Sequence, residues 1–292
     1  MKGLAFLRIE VGSSAWFLIR DRIALVCMAF LIAIAVSAIF APLLTPYARQ
    51  GMGDPDLTAK FKPPSIEHPF GTDGLGRDQV ARLMFGARRS LSMGLLVVLI
   101  AIAIGAPLGM IAGYLGGWLD ETIMRVTDVF LAFPPLLLAI AIAAALGASY
   151  TNAVMAIAVT WWPWYARLAR AQTLSVRERA YIEAAHSIGV RDRVIIGRHI
   201  LPNIMTPIIV QGTLDVGAAI LVAAGLSFIG LGTQAPYADW GVMISDGRLF
   251  FLSGRWWLST FPGLAIFLTA MAFNFLGDGV RVAADPRLRR LL

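Results

Sequence analysis

Long apolar runs alternate with short polar passages along this chain, a coarser pattern than the 3.6-residue stripe of a soluble amphipathic helix. Residues 23–44 are almost wholly apolar. At about 1.5 Å per residue the run reaches roughly 33 Å, enough to cross a hydrocarbon layer and longer than a signal-peptide core. It is expected to be a first, uncleaved membrane-spanning helix. Comparable runs predict further spans at 91–114, 120–146, 152–164, 204–231 and 259–275, six in all. Between the first two, residues 45–90 hold many Pro, Gly and Asp and no spanning segment, so they are expected outside as a packed loop with one short helix.

Within the spans, Gly94, Gly105, Gly109 and Gly113 recur on related faces and suit close helix contact in lipid. Pro134 and Pro135 are expected to bend the third span. Spacing allows Glu121 to pair with Arg125, and Arg125 with Asp128, along one helix end. Trp161, Trp162 and Trp164 precede Arg167 and Arg170, the order expected of an interfacial belt. Asp215 is the one carboxylate well inside a predicted span, about 16 Å along from residue 204, where a charge is costly and should face protein or water. It is either a group lining a substrate pathway or half of a structural pair with a neighbouring or partner helix.

A polar passage, EAAHSIGVRDRVIIGRHILP at 183–202, separates the fourth and fifth runs. One helix is predicted over 176–187, ending near Gly189, the residue best able to take a left-handed helix-ending conformation. A second, two-sided helix over 190–200 is expected to stop at Pro202. Ala184 and Ala185 leave room for another protein's surface and Glu183 offers an anionic anchor; the alternative is an ordinary loop.

Composition narrows the class. The 292 residues are 58% hydrophobic and 15% charged, and mean hydropathy is +0.72, so the chain is expected to be a polytopic, all-α membrane protein. The net charge of +7 is better explained by orientation than by nucleic-acid binding. Placing both termini and the polar passage in the cytoplasm puts sixteen of the 25 Lys and Arg residues inside, including the segments 1–22 and 281–292. Cys27, the single cysteine, excludes an internal disulfide or a cysteine metal cluster. None of the three lysines lies in a Gly-Lys-Ser/Thr loop, so the chain has no phosphate cradle of its own. No catalytic, cofactor-binding or metal-ligating set is assigned, although His68, Asp73 and Asp78 form a weak candidate metal group.

Glu183, Ala184 and Ala185, with Gly189 and then Leu201 and Pro202 at fixed offsets, resemble the EAA signature of ABC importer permeases. Residues 68–78, HPFGTDGLGRD, and the stretch LSFIGLGTQAPYADWG resemble the peptide and nickel branch of that family. The resemblance implies a type I importer permease fold in the bacterial inner membrane. It also implies a second permease subunit, two ABC ATPase subunits, an extracytoplasmic binding protein and membrane lipid as partners, with no cofactor and no nucleic acid. Di- or oligopeptide is the implied cargo, with nickel, glutathione or another small solute as alternatives. An ion-coupled secondary transporter is the competing class, but no inverted repeat is visible and intramembrane carboxylates are scarce.

Overall fold

The computed structural model describes residues 21–284, so the expectations for 1–20 and for the tail beyond Ala284 lie outside the described residues. Among the described residues the fold is helical, and extended pairing is limited to one bridge between Thr72 and Asp78. Helix α1 (Arg22–Ile39) starts where the Asp21 carboxylate accepts from the amides of Ile23 and Ala24. Its outward face carries Ile23, Val26, Ile32, Val36 and Ile39, all exposed, as a lipid-facing helix would. The expected continuous run to residue 44 is instead broken at Phe40, and α2 (Ala41–Leu44) and α3 (Ala48–Met52) turn the chain away. Pro42 sits in the first turn of α2, where its missing amide costs nothing.

The longest element is α4 (Gln79–Leu115), 37 residues against the 24 expected at 91–114. Its first three turns carry Arg82, Arg88 and Arg89, too polar to register as a span, and they pack on the loop before them. That loop is ordered by side chains. Asp78 caps α4 by accepting from the Ala81 amide at 2.8 Å and pairs through its other oxygen with His68 at 3.0 Å, both residues being buried. Asp73 accepts from Arg77 at 2.7 Å and from the amides of Leu75 and Arg77. The suggested metal group of His68, Asp73 and Asp78 is therefore divided between two unrelated contacts. Arg82 reaches the Pro236 carbonyl at 2.8 Å, Trp240 donates to the Leu83 carbonyl at 3.0 Å, and Arg88 donates to the carbonyls of Ala38 and Ile39.

Helices α5 (Gly117–Leu131) and α6 (Pro135–Leu146) replace the single third span. The Pro134–Pro135 step does more than bend it: the two axes meet at 88°. Asp128 does not pair with Arg125 but with Arg167 at 2.6 Å, and Asp120 takes Arg170 through both oxygens at 2.5 and 2.6 Å. Arg125 keeps only its exposed partner Glu121, at 3.6 Å. Both ion pairs hold α5 against α7 (Tyr150–Arg177), capped at its start by Ser149 accepting from the Asn152 amide.

The core of the bundle is the α4–α7 contact. Gly105, Gly109 and Gly113, four residues apart, face the backbone at Trp162, Ala166 and Arg170, also four apart. A methyl group at Gly113 would lie 2.8 Å from the Arg170 carbonyl, and at Gly109 it would overlap the backbone of Ala166. Backbones this close exclude any side chain between them, which is the small-residue packing used in lipid. Gly94 instead faces Ile220 of α10 (Leu201–Phe228).

After α7 come α8 (Ala180–Ser187) and α9 (Asp192–Ile195), which runs through one π turn at Ile196–Ile200 directly into α10. Pro202 thus does not stop a helix. The wider turn before it absorbs the missing amide, and a 37-residue helical rod, Asp192–Phe228, continues through it. Helix α11 (Trp240–Gly247) lies between α10 and α12 (Trp257–Ala284), which starts before and ends after the expected 259–275. Among the described residues four helical bodies are long and apolar enough to cross a membrane: α1, α4, the rod ending in α10, and α12; the bent α5–α6 pair, taken as one span, makes a fifth. Helix α7 has the length, but Arg167, Arg170 and Arg177 make its second half polar.

Candidate functional site

The EAA passage forms an outward-facing helical pair. Helix α7 ends at Arg177 and the chain turns over Glu178 and Arg179, the Arg179 amide donating back to the Val176 carbonyl at 3.1 Å. The single helix expected over 176–187 is therefore two helices. At the end of α8, Gly189 takes φ +77°, with its amide on the His186 carbonyl at 2.9 Å and the Val190 amide on the Ala185 carbonyl at 3.0 Å. This six-to-one closure is a Schellman ending, and the positive φ explains why glycine stands there. No neighbour crowds it: nothing lies within 4 Å of a Cβ built at Gly189.

One face of the pair belongs to the chain's own core. Ile182, Ile195 and Ile200 are fully buried, and Ala185 is 8% exposed. The other face carries Glu183, Ala184, Tyr181, Ile188 and Val194, with Leu201 and Pro202 further along. The two alanines, expected to act together as an open surface, are therefore split. Ala184 faces outward, while Ala185 points inward because it lies three residues from Ile182 on one helix face. Ile188 is 81% exposed, an apolar side chain left uncovered at the tip of the turn.

Tyr114, at the end of α4, joins this pair to the bundle. Its hydroxyl donates to Asp192 at 2.7 Å and lies 3.2 Å from His186 Nε2, with the two rings stacked. Arg177 donates to the carbonyls of Gly113 and Tyr114 at 3.2 and 3.0 Å, favourable for a cation at a helix C-terminus. Together with Glu183 these groups edge a recess of about 510 Å³. Sequence inspection takes Tyr114 only as the end of a span; its partners lie 72 and 78 residues away, beyond any local spacing rule.

A second feature lies between α6, α7 and α10, where a cavity of about 800 Å³ opens beside Asp215. Asp215 accepts from the Tyr165 hydroxyl at 2.6 Å and from Gln211 at 2.9 Å. It thus pairs with a neighbouring helix and also lines an opening. Trp161 and Trp164 line the same cavity and Trp162 is buried against Phe130, so the three tryptophans do not form one belt. They diverge because consecutive helical positions turn by about 100°. Arg167 also lines the opening. A further groove of about 580 Å³ between α10 and α12 is apolar, and its Asn274 amide is used within its own helix, on the Ala270 carbonyl.

The family described as binding-protein-dependent transport system inner membrane component matches residues 105–290, and the N-terminal transmembrane domain of oligopeptide transport permease C matches residues 13–64. The chain belongs to the first of these families. It is 45% identical over 280 residues to a probable D,D-dipeptide transport system permease protein of Escherichia coli K12, covering 96% of this chain and 93% of that protein. It is 46% identical to a dipeptide transport system permease protein of Alkalihalophilus pseudofirmus (92% of this chain, 88% of that one). A glutathione transport system permease protein of Pectobacterium atrosepticum is 42% identical (93% and 89%). In fold, the MetNI methionine ABC transporter in an inward-facing conformation matches with a TM-score of 0.56 at 18% identity, covering 69% of this chain and 96% of that one. The protein is a membrane-embedded permease component with the type I ABC importer fold.

Proposed function

We propose that this permease forms, with a second permease subunit, the pathway by which an ATP-driven importer moves di- or oligopeptides across the bacterial inner membrane. The observation that carries the reading is the likeness to dipeptide permeases along nearly the whole chain, 45% over 280 residues. Relatives named for glutathione, itself a small peptide, keep the cargo within one chemical class. An extracytoplasmic binding protein delivers the peptide and two ABC ATPase subunits supply the energy, since the chain has no phosphate-binding loop of its own.

In this reading the ATPases dock on the outward face of α8 and α9, with Glu183 as anchor, Ala184 as the point of close approach and Gly189 as the turn that sets the angle between the helices. Leu201 and Pro202 carry the motion into α10. Closure of the ATPases moves this pair, and the attached α7 and α10 expose the pathway alternately to each side. Asp215 lines that pathway. The bundle crosses the membrane six times, as α1, α4, the α5–α6 pair, α7, α10 and α12, with both termini and the EAA pair in the cytoplasm.

Reconstitution tests the proposal. The permease pair, its ATPases and its binding protein are placed in proteoliposomes, and accumulation of radiolabelled dialanine is followed with and without ATP. Uptake requiring ATP and binding protein, and lost with Glu183→Ala together with ATPase co-purification while the permease pair still assembles, is the expected result. ATP-independent accumulation driven by an ion gradient would replace the importer reading with a secondary transporter.

A further inference from the structure

The cavity beside Asp215 holds more chemistry than one carboxylate. Asp215 is only half-buried, and both of its partners, the Tyr165 hydroxyl and the Gln211 amide, are neutral donors. Among the described residues its carboxyl has no ion-pair partner. A purely structural acceptor would not need a carboxyl, because an amide oxygen satisfies the same two donors. Arg167, on the next helix, supplies the opposite charge at the same cavity. It is paired with Asp128 at 2.6 Å, but both side chains are about half exposed, at 48% and 47%. A half-exposed ion pair of that kind is weakly held, so a ligand carboxylate can exchange for Asp128 at little cost.

The walls fit the same kind of ligand. Trp164 is 58% exposed and Trp161 half-buried, two aromatic faces turned to an opening of about 800 Å³. That volume lies in the range of about 300–1,000 Å³ usual for small-molecule sites, and tryptophan faces favour an organic cation. The α10–α12 groove has comparable size and no charge at all among its lining residues, which makes it a poor rival.

We propose that this cavity is a zwitterion site, in which Asp215 takes the ammonium end of a free di- or tripeptide, Arg167 its carboxylate, and Trp161 and Trp164 flank the backbone between them. The inference rests on the peptide-importer reading and deepens it. Selection for two free ends is then a property of the permease itself. A monovalent amine gains only half of these contacts, and a peptide blocked at either end loses one charge-assisted bond.

The binding protein must be kept out of the test, because it filters ligands first. The purified nucleotide-free complex, carrying Cys27→Ser and the reporter Leu136→Cys on the cavity wall, is reacted with a maleimide and labelling is read by mass at position 136. Dialanine should slow the reaction, and N-acetyl-dialanine and dialanine amide should each need at least tenfold higher concentration for the same protection. Asp215→Asn should abolish the penalty for acetylation and leave that for amidation; Arg167→Gln should do the reverse. The comparison of ligands alone needs no charge variant, so it decides the matter even if a variant fails to assemble. Equal protection by all three ligands, or protection by none, overturns the zwitterion site. If such a complex still imports dialanine with ATP, the importer reading survives that failure; if ATP-driven import is absent as well, both fall.

Discussion

Enlarging Ala184 and enlarging Ala185 should do different things, although the two residues are neighbours in the same motif. Ala185 is 8% exposed and faces the inner side of α8 with Ile182, which is fully buried. Ala185→Leu forces three extra carbon atoms into that layer, an overpacking that costs about 1–3 kcal/mol. At about 2–4 °C per kcal/mol for a chain of this order of size, the purified complex should lose roughly 2–12 °C of thermal stability. Ala184 is exposed, so Ala184→Leu should shift stability by no more than about 0.5 kcal/mol. Its cost falls on docking. Weakening the ATPase contact by about 1.4 kcal/mol would lower the affinity tenfold, and dialanine uptake should drop with it. Melting curves by fluorescence-detected size exclusion, run beside ATPase co-purification, separate the two outcomes. A heat-stable Ala185→Leu complex with selectively lost ATPase binding would refute the inward placement of Ala185. A destabilised Ala184→Leu complex would refute the outward placement of its neighbour.

Gly109→Val should block assembly of the bundle, because even a methyl group at that position overlaps the Ala166 backbone, whereas Gly263→Val, with nothing within 4 Å, should be tolerated; membrane yield of folded protein checks both. Asp239 is 2% exposed and caps α11 by accepting from the amides of Gly241 at 2.9 Å and Val242 at 3.3 Å, while burial pushes its carboxyl above the usual range. Its folded form binds a proton more readily than its unfolded form, so wild-type stability should rise as pH falls through the raised value toward about 4, and Asp239→Asn should lose that rise. Asp239→Ala should cost about 0.5–2 kcal/mol as the cap is lost, read from the same melting curves. In a Cys27→Ser background, Ile66→Cys, fully exposed in the loop before α4, should react with an impermeant maleimide in whole cells, and Ile188→Cys, 81% exposed, only after permeabilisation. Asp239, 2% exposed, is too buried to serve as a reporter, and labelling of Ile188→Cys in sealed cells would overturn the proposed orientation.

Apolar runs located the long apolar helices α1, α4, α10 and α12 because hydrophobicity is a property of the residues themselves, and the glycines of α4 were visible by spacing. The ends of the helices were not. Helix α4 begins twelve residues before its apolar run because Arg82 and Arg88 find partners on residues 38, 39 and 236, contacts no local window contains. Pro202 failed as a stop signal for a different reason: the rule assumes an α-helix, and a single π turn removes the conflict. Local pairing rules also misassigned Asp128, whose partner Arg167 is 39 residues distant. In the EAA pair the motif marked the candidate residues, but their facing depends on where Ile182 and Ile195 find a core. The cavity was half legible. Asp215 stood out as a lone carboxylate, with Gln211 one helical turn before it, whereas Tyr165 and Arg167 join it only where α7 packs on α10.

Helix α4 gives the proposed coupling a mechanical route. Its 37 residues extend about 56 Å, nearly twice a hydrocarbon layer of about 30 Å, so its two ends work in different compartments. At one end Asp78, Arg82 and Leu83 hold the loop before it and the segment leading into α11. At the other, Tyr114 holds Asp192 and His186 of the EAA pair. Between them the ladder of Gly105, Gly109 and Gly113 fixes α7 backbone to backbone, and α7 supplies Trp161, Trp164 and Tyr165 to the cavity. A rotation imposed on α8 and α9 therefore meets little slack: interfaces without intervening side chains cannot absorb it by rotamer changes, and must move as units or separate. Tyr114 is the narrowest point on that route. Tyr114→Phe removes its hydrogen bonds to both Asp192 and His186 while keeping the ring, so ATPase subunits should still bind, ATP hydrolysis should persist, and peptide uptake per ATP should fall. Unchanged uptake per ATP in that variant would show that the force reaches the cavity through α7 and α10 alone.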